Sequence, residues 1–303
     1  MSHIGKSVAI TGGTGLVGTS LAAALQDVGY STVSISRKTS KPAGGHILWD
    51  PSTGLKDPSQ LESIDSIVHL AGENIAAGRW TAALKDRIRR SRIEGTRSLV
   101  KSLAAISRRP KTLISASAIG YYGDQGDNVL DENAESGHGF LAELCHDWEH
   151  EADAARDLGL RVVNVRIGVI LSPKGGALAK MLLPFKLGVG GIIGSGKQYW
   201  SWIGLHDLVR IIMFCIGDDS INGPVNAVSP NAMTNYDFTK GVGRVLHRPT
   251  IFPMPAFAAR LALGEMADEL LLSSARVTPK KLQAHGFKFD YPDLISCLTS
   301  ELS

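Results

Sequence analysis

Gly12, Gly15 and Gly18 stand three residues apart in the string TGGTGLVG, between a short apolar run and an amphipathic one. The chemistry of that spacing is anion binding by backbone. Glycine at 12 permits a tight turn, at 15 it lets N–H groups approach a pyrophosphate, and at 18 it lets a helix lie close on a strand. Thr14, Leu16 and Val17 complete the turn and open the helix, whose N-terminal N–H groups and partial positive charge favour phosphate. The flanking strand and helix make this a nucleotide site rather than a glycine-rich turn. The end of the second apolar run then selects the nucleotide. A site for a free ribose 2′-OH wants a carboxylate there, whereas this chain has Ser36-Arg37-Lys38. A guanidinium bonds a 2′-phosphate bidentately and an acid would repel it, so the cofactor expected is NADP. A merely solvated basic strand end is the alternative.

Around this loop the sequence offers material for a substrate pocket: Glu73, Asn74, Arg79 and Trp80, then Met181 to Phe185, then Lys197, Tyr199, Trp200 and Trp202. Aromatic and methionine side chains suit an apolar or planar ligand, and they fill cores equally well. Asp207 opens a helix and is expected to serve its dipole rather than catalysis.

These residues need a scaffold, and the chain's rhythm supplies one. Apolar runs at Ser7–Thr11, Ser31–Ser36, His46–Trp49, Ser66–Leu70, Thr112–Ser117 and Arg161–Ile167 alternate with helical patterns at Gly15–Val28, Thr81–Ser107 and Leu141–Leu158. Strands separated by helices predict an α/β fold, a Rossmann doubly wound parallel sheet with right-handed crossovers. The rhythm breaks after Pro173 at GVGGIIGSGKQYWSW. The expected organisation is a Rossmann domain over residues 1–172. A smaller substrate-side lobe would follow over 173–303, with a proline-punctuated C-terminal segment from about 250.

Composition excludes several classes. The chain has 303 residues, 44% hydrophobic and 20% charged, with net charge +3, an ordinary globular balance without the basic stripe of a nucleic-acid binder. No apolar run reaches the roughly 18 residues of a membrane span. Cys145, Cys215 and Cys297 lie far apart without metal-ligand spacing. They fit a reducing compartment, and with the first strand so near Met1 a cytoplasmic protein is expected. The partners expected are a small-molecule substrate, no nucleic acid and no membrane; the oligomeric state is open.

TGGTGLVG, HLAG at His69–Gly72 and SASAIGYYG at Ser115–Gly123, in that order, resemble the extended short-chain dehydrogenase/reductases. The strings HLAGENI and MLLPFKLG and the Pro-Met-Pro segment resemble the atypical SDR39U1-like members, which end in a domain of unknown function. The resemblance implies an NADP-bound Rossmann subunit, an oxidoreductase or epimerase acting on an unidentified small carbonyl or sugar-like substrate. It implies cofactor contacts from the backbone of Leu70, Ala71 and Gly72, from Arg92 with Arg87 one turn earlier, and from Ile170 on the nicotinamide side.

The same resemblance exposes a departure. Orthodox members pair a serine with Tyr-x-x-x-Lys, the tyrosine moving a proton and the lysine lowering its pKa. Here Leu141 falls at the tyrosine and Cys145 at the lysine. The expected catalytic candidates are therefore Ser117 (a shift of frame by one would put Ala118 there), Tyr122 and Tyr121. Tyr122 would need a lowered pKa to act, and Cys145 would need a cation to become a thiolate. Three classes stay open: an NADP-dependent enzyme with altered acid–base groups, an NADP(H) sensor or carrier without turnover, and a fold kept for interaction.

Overall fold

Ser7–Thr11 (β1), beside Ser31–Ser36 (β2), carries Val8 and Ile10 to one face and Ala9 to the other, all of them buried. Such a strand is stable only between two helical layers. The computed structural model, which describes residues 6–37 and 45–302, shows that arrangement. Val8 and Ile10 point into one core with Val68, Ile114, Val163 and Val165, while Ala9, Ile35, Ile67, Leu113 and Val162 face the other.

Between β1 and β2 runs α1 (Leu16–Asp27). β3 (His46–Asp50) continues the sheet and β4 (Gly54–Leu55) turns back on it. β5 (Ser66–His69) leads into the long α2 (Ala82–Ala104), which Thr81 caps by accepting the Leu84 N–H. β6 (Thr112–Ala118) ends in a 3-10 turn, Ile119–Tyr122. After β7 (Val129–Leu130) come α3 (Phe140–Asp153) and β8 (Arg161–Ile167). The helix expected to reach Leu158 changes to 3-10 winding at Ala154–Leu158.

The second half contains β9 (Val169–Leu171), α4 (Gly176–Lys186), β10 (Tyr199–Trp200) and β11 (Trp202–Gly204). Then follow α5 (Leu205–Gly217), β12 (Gly223–Ala227), β13 (Met233–Thr234), α6 (Asn235–Leu246) and α7 (Ala256–Leu263). Short elements and the closing Leu294–Leu302 helix complete the chain. The main sheet runs β12-β8-β6-β5-β1-β2-β3-β4. Every pairing in it is parallel except β3 with β4. The chain beyond residue 172 therefore supplies both an edge strand of this sheet and α5, whose Leu208, Ile211 and Ile212 pack with Leu21 and Leu25 of α1. The lobe itself is built on Trp200, Trp202, Phe238, Leu178 and Leu182. Among the described residues no helix is long and apolar enough to cross a membrane.

Strand order reverses between β1 and β5, which are neighbours although α1, β2, β3 and β4 intervene in sequence. In open parallel sheets ligands bind outside the carboxyl ends of the strands at such a reversal. Thr11 and His69 end those two strands, and their side chains meet there. Thr11 Oγ1 lies 2.8 Å from His69 Nδ1, and His69 Nε2 lies 3.0 Å from Thr96 Oγ1 on α2. Burial pushes the fully buried His69 imidazole down from its ordinary 6.5 to about 4.

The depressed imidazole sets an expected pH dependence. Between pH 6.5 and 4 the unfolded chain binds a proton at His69 that the fold refuses, so stability falls as pH drops through this window. The full loss is about 3 kcal/mol, because each tenfold difference in proton affinity is worth about 1.4 kcal/mol. Urea unfolding at the two ends of the window should show it, and His69→Gln should flatten the slope. An equal slope in parent and variant would assign the effect elsewhere.

Candidate functional site

At the end of β1 the chain turns through Gly12, whose φ of +70° lies in the left-handed region. A Cβ on Gly12 would come 2.9 Å from the Leu70 carbonyl carbon, so the turn also needs glycine to lie against the loop after β5. A Cβ on Gly18 would sit 2.3 Å from the Gly12 carbonyl oxygen, and Gly15 donates its N–H to that oxygen at 2.9 Å. The helix start is left open to a ligand. Gly15 is its N-cap, no side chain caps it, and its first turn holds no acid. Thr14 and Gly15 are exposed, and Leu16 and Val17 are half-buried. The residues present fit a pyrophosphate.

The loop after β5 is held from below. Leu70 and Ala71 give their N–H groups to Thr11 Oγ1 at 3.0 and 3.1 Å, which leaves their carbonyls for any ligand. Gly72 rests on Arg92, where a Cβ would lie 3.1 Å from the guanidinium carbon. Arg92 donates to the Glu73 carbonyl at 3.0 Å and lies over the Trp148 ring at 5.0 Å. Desolvation lowers its pKa, opposed by Cys145 and Glu73. Arg87 is exposed, 4.0 Å from Glu73 Oε1. On the far side, Gly175 and Gly176 come against Leu16, and a Cβ on Gly176 would lie 3.4 Å from the Ile170 carbonyl oxygen. Leu16, Leu70 and Ile170 thus converge on the switch point, all packed against one core.

At the end of β2, Ser36 Oγ lies 2.9 Å from His46 Nε2. Arg37 is exposed and lines a cleft of about 280 Å³ with Trp49, Asp50 and Lys56. Asp50 belongs to β3 and is exposed; its carboxyl is held low first by the Ser52 hydroxyl. Lys38 lies outside the described residues.

The catalytic candidates stand differently from the sequence expectation. Tyr122 is fully buried, with its hydroxyl 2.7 Å from Asn226 Oδ1, 3.1 Å from the Asp131 carbonyl and accepting from Arg166 Nη1 at 3.0 Å. Burial pushes its pKa up to about 12, against the lowering effect of Arg166. It is therefore not the lowered-pKa acid that catalysis by this residue would require. Ser117 is buried as well, and its Oγ donates to Glu149 Oε1 at 2.6 Å, so the hydroxyl expected to face a substrate is spent inside the fold. Glu149 in turn pairs with Arg166 through two contacts of 2.8 Å. Burial works against the Arg166 charge, but the Glu149 hydrogen bonds and charge outweigh it and raise its pKa. Tyr121 is half-buried, its ring 3.5 Å from the Arg166 guanidinium carbon. Leu141 and Cys145 pack under Gly120, and burial pushes the Cys145 thiol up to about 12, as expected for a packing residue.

The structure also divides the expected pocket residues. Trp200 and Trp202 are lobe core, not lining, and so are Leu182 and Phe185. Lys197 and Tyr199 line a surface cleft of about 480 Å³ with Tyr236 and Asp127. Trp80 is buried, its indole N–H bonded to the Ile75 carbonyl at 2.8 Å. Asp207 does open α5, but its carboxylate accepts the N–H groups of Asp290 and Tyr291 and so ties down the C-terminal segment. Sequence reasoning missed Glu149 and Arg166. A charged residue in the apolar string RVVNVRI is the available signal, because a buried guanidinium must find a partner.

A glycine-rich turn at the switch point of a parallel sheet accords with the comparisons. Residues 8–227 match the NAD dependent epimerase/dehydratase family, and residues 254–301 match the domain of unknown function DUF1731. The chain belongs to the NAD dependent epimerase/dehydratase family. Within it, Epimerase family protein Mb2239 of Mycobacterium bovis is 45% identical over 94% of this chain and 93% of its own length. Epimerase family protein SDR39U1 of Homo sapiens is 34% identical over 96% of this chain and 98% of its own. A crystal structure of human SDR39U1 isoform 2 with NADPH superposes with a TM-score of 0.88 at 33% identity, covering 97% of this chain and 98% of that one. The family match ends with β12, the edge strand that closes the sheet, and DUF1731 begins just before α7.

Proposed function

We propose that this family member binds NADP(H) and acts as an atypical oxidoreductase or epimerase on a small carbonyl or sugar-like compound. The observation that carries the cofactor reading is the end of β2. Ser36 ends the strand and Arg37 follows it, with no acid in the string Ser36-Arg37-Lys38, and β2 lies beside the strand that leads into an uncapped, acid-free helix start. The NADPH in the human SDR39U1 structure supports the same reading. The cofactor, when bound, supplies or takes up a hydride. The chain's own residues would bind and orient it: the Gly12–Gly18 turn the pyrophosphate, Arg37 the 2′-phosphate, Arg92 and the Leu70–Gly72 loop its underside, and Ile170 its nicotinamide side. Tyr121 on Arg166 is the remaining tyrosine for contact with a substrate oxygen.

A second reading, an NADP(H) sensor or carrier without turnover, is favoured by one specific observation. The Ser117 hydroxyl is committed to Glu149 and the Tyr122 hydroxyl to Asn226 and Arg166. General acid catalysis contributes about 10²–10⁴-fold, so its loss leaves either a slow enzyme or none.

Titration calorimetry and single-turnover absorbance separate these readings. Arg37→Ala is expected to weaken NADPH by roughly 1.5–3 kcal/mol, the scale of a bond to a charged group, and to leave NADH nearly unchanged. Equal affinity of the parent for the two nucleotides would overturn the NADP assignment. Bound NADPH should be oxidised by at least one of a panel of aldehydes, ketones, quinones and nucleotide sugars, more slowly in Tyr121→Phe. Oxidation at the buffer rate throughout would leave the sensor or carrier.

A further inference from the structure

Eleven large apolar side chains are exposed among the described residues, and eight of them fall in two short segments. Leu183, Leu187 and Val189, exposed by 55–67%, lie at the end of α4 and just after it. Ile251, Phe252, Met254, Phe257 and Leu261 precede and form α7, with Leu261 reaching 75%. The two segments are one surface. Arg248 Nε donates to the Lys186 carbonyl at 2.9 Å, Met254 N–H to the Ile192 carbonyl at 2.8 Å, and Gly194 N–H to the Met254 carbonyl at 2.9 Å. The loop after β5 joins their other ends, since Lys180 reaches the Ala76 carbonyl and Arg79 the Leu261 carbonyl. α4 turns Leu178, Leu182 and Phe185 into the lobe core, so its exposed leucines are surplus to that core. Phe257 and Leu261, one helical turn apart, stand outward on α7 while Ala259 is its buried position.

The charge around this surface is mainly basic, with Glu265 and Asp268 at the α7 end paired to Lys85 and Arg260. Residues 158–206 and 238–264 contain no aspartate or glutamate. Exposed Lys180, Lys186, Arg244 and Arg248 come from these stretches, and Arg260 is paired, with Asp268 at 2.8 Å. A monomer seldom leaves so many contiguous apolar groups in water without a partner. A second copy set face to face on this surface would bring two mainly basic rims together, with Lys180, Lys186, Arg244 and Arg248 facing like charges. Protruding Phe, Leu, Ile and Met within a lysine and arginine rim instead match the interface of a bilayer, apolar groups entering the acyl boundary and cations meeting lipid phosphates.

We propose that this face, formed by the end of α4, residues 248–254 and α7, docks the protein peripherally on membranes rich in anionic lipid. The sequence expectation of no membrane partner rested on the lack of a spanning run, and interfacial binding needs none. Lys186 and Arg244 are exposed in the rim, and long basic side chains lay their stems along apolar surface while their cations reach headgroups. The proposal does not depend on which reaction, if any, the switch-point site performs.

The test is flotation of the full chain with vesicles of phosphatidylcholine alone and with about 30 mol% phosphatidylglycerol. Binding is expected on the anionic vesicles and is expected to weaken at about 0.5 M salt. Phe257→Ser with Leu261→Ser should lower the partition coefficient about tenfold or more, as should Lys186→Glu with Arg244→Glu. Both variants should keep the parent's melting temperature and NADPH affinity, because these side chains are solvent-facing. Failure to bind anionic vesicles overturns the proposal. So does binding unchanged in both variants, a dimer that the Phe257/Leu261 variant dissociates without vesicles, or equal binding to polyglutamate that ignores the apolar changes.

Discussion

Gly18→Ala is expected to cost the chain its nucleotide affinity and part of its stability together. The added Cβ would lie 2.3 Å from the Gly12 carbonyl oxygen and 2.8 Å from the Gly13 Cα. Both are backbone atoms of the turn itself, so no side chain can rotate away. Either α1 retreats from β1 or the turn opens, and each moves the helix start from the pyrophosphate position. Overpacking of this kind costs about 1–3 kcal/mol, and displaced backbone donors should weaken NADPH by about a hundredfold, since each 1.4 kcal/mol is tenfold. Gly217→Ala is the control. It closes α5, where a Cβ meets nothing within 4 Å. A Gly18→Ala chain that binds NADPH like the parent and melts at the parent's temperature would show that the helix start is not the anion site.

The second large effect is expected at Glu149. Glu149→Gln removes the charge that faces Arg166, and both side chains are buried, at 8% and 3% exposure. Taking one partner from a buried ion pair costs about 3–5 kcal/mol, because the remaining charge stays in the dry interior. Arg166 also donates to Tyr122, and Glu149 also accepts from Ser117, so the loss reaches the turn after β6. Chemical denaturation should show it directly. A Glu149→Leu/Arg166→Met double variant should recover much of the stability, since a well-packed apolar pair needs no compensation. Parental stability in the single variant would show that the pair is solvated and not structural.

The fold was legible where local rules and burial agree. β1, β2 and β8 follow the apolar runs to the residue, and the glycine spacing alone locates the switch point without any strand order. α3 ends before the pattern does, because the string through Leu158 keeps its helical periodicity. At that point Asp153 Oδ1 bonds both Arg156 and Asn164 of β8, and the winding tightens. The edge strand β12 is short and carries Gly and Pro, so its place in the sheet depends on β8 rather than on its own pattern.

The candidate site was legible on its cofactor side, where one loop of contiguous residues does the work. It was illegible on its chemical side. Ser117, Tyr122, Glu149, Arg166 and Asn226 come from five separate elements, and no spacing rule joins residues 104 apart such as Tyr122 and Asn226. Ser117 and Tyr122 have the right types for proton transfer, but side-chain type does not reveal whether a hydroxyl faces a cleft or a buried carboxylate.

The Thr11–His69–Thr96 contacts have a direction as well as a length. Thr11 Oγ1 receives the N–H groups of Leu70 and Ala71, which occupy both of its lone pairs, so its own proton goes to His69 Nδ1. His69 Nδ1 is then the acceptor, and the neutral ring carries its hydrogen on Nε2, donated to Thr96 Oγ1, which also receives the Trp148 indole N–H. The imidazole is thereby held as a single tautomer. Its two nitrogens should give distinct, unaveraged NMR resonances, Nδ1 pyridine-like and Nε2 pyrrole-like. Moving that hydrogen to Nδ1 would set a donor against the Thr11 hydroxyl, which has only a hydrogen left to offer. The resting position of the Leu70–Ala71 loop is therefore encoded in which ring nitrogen bears a hydrogen.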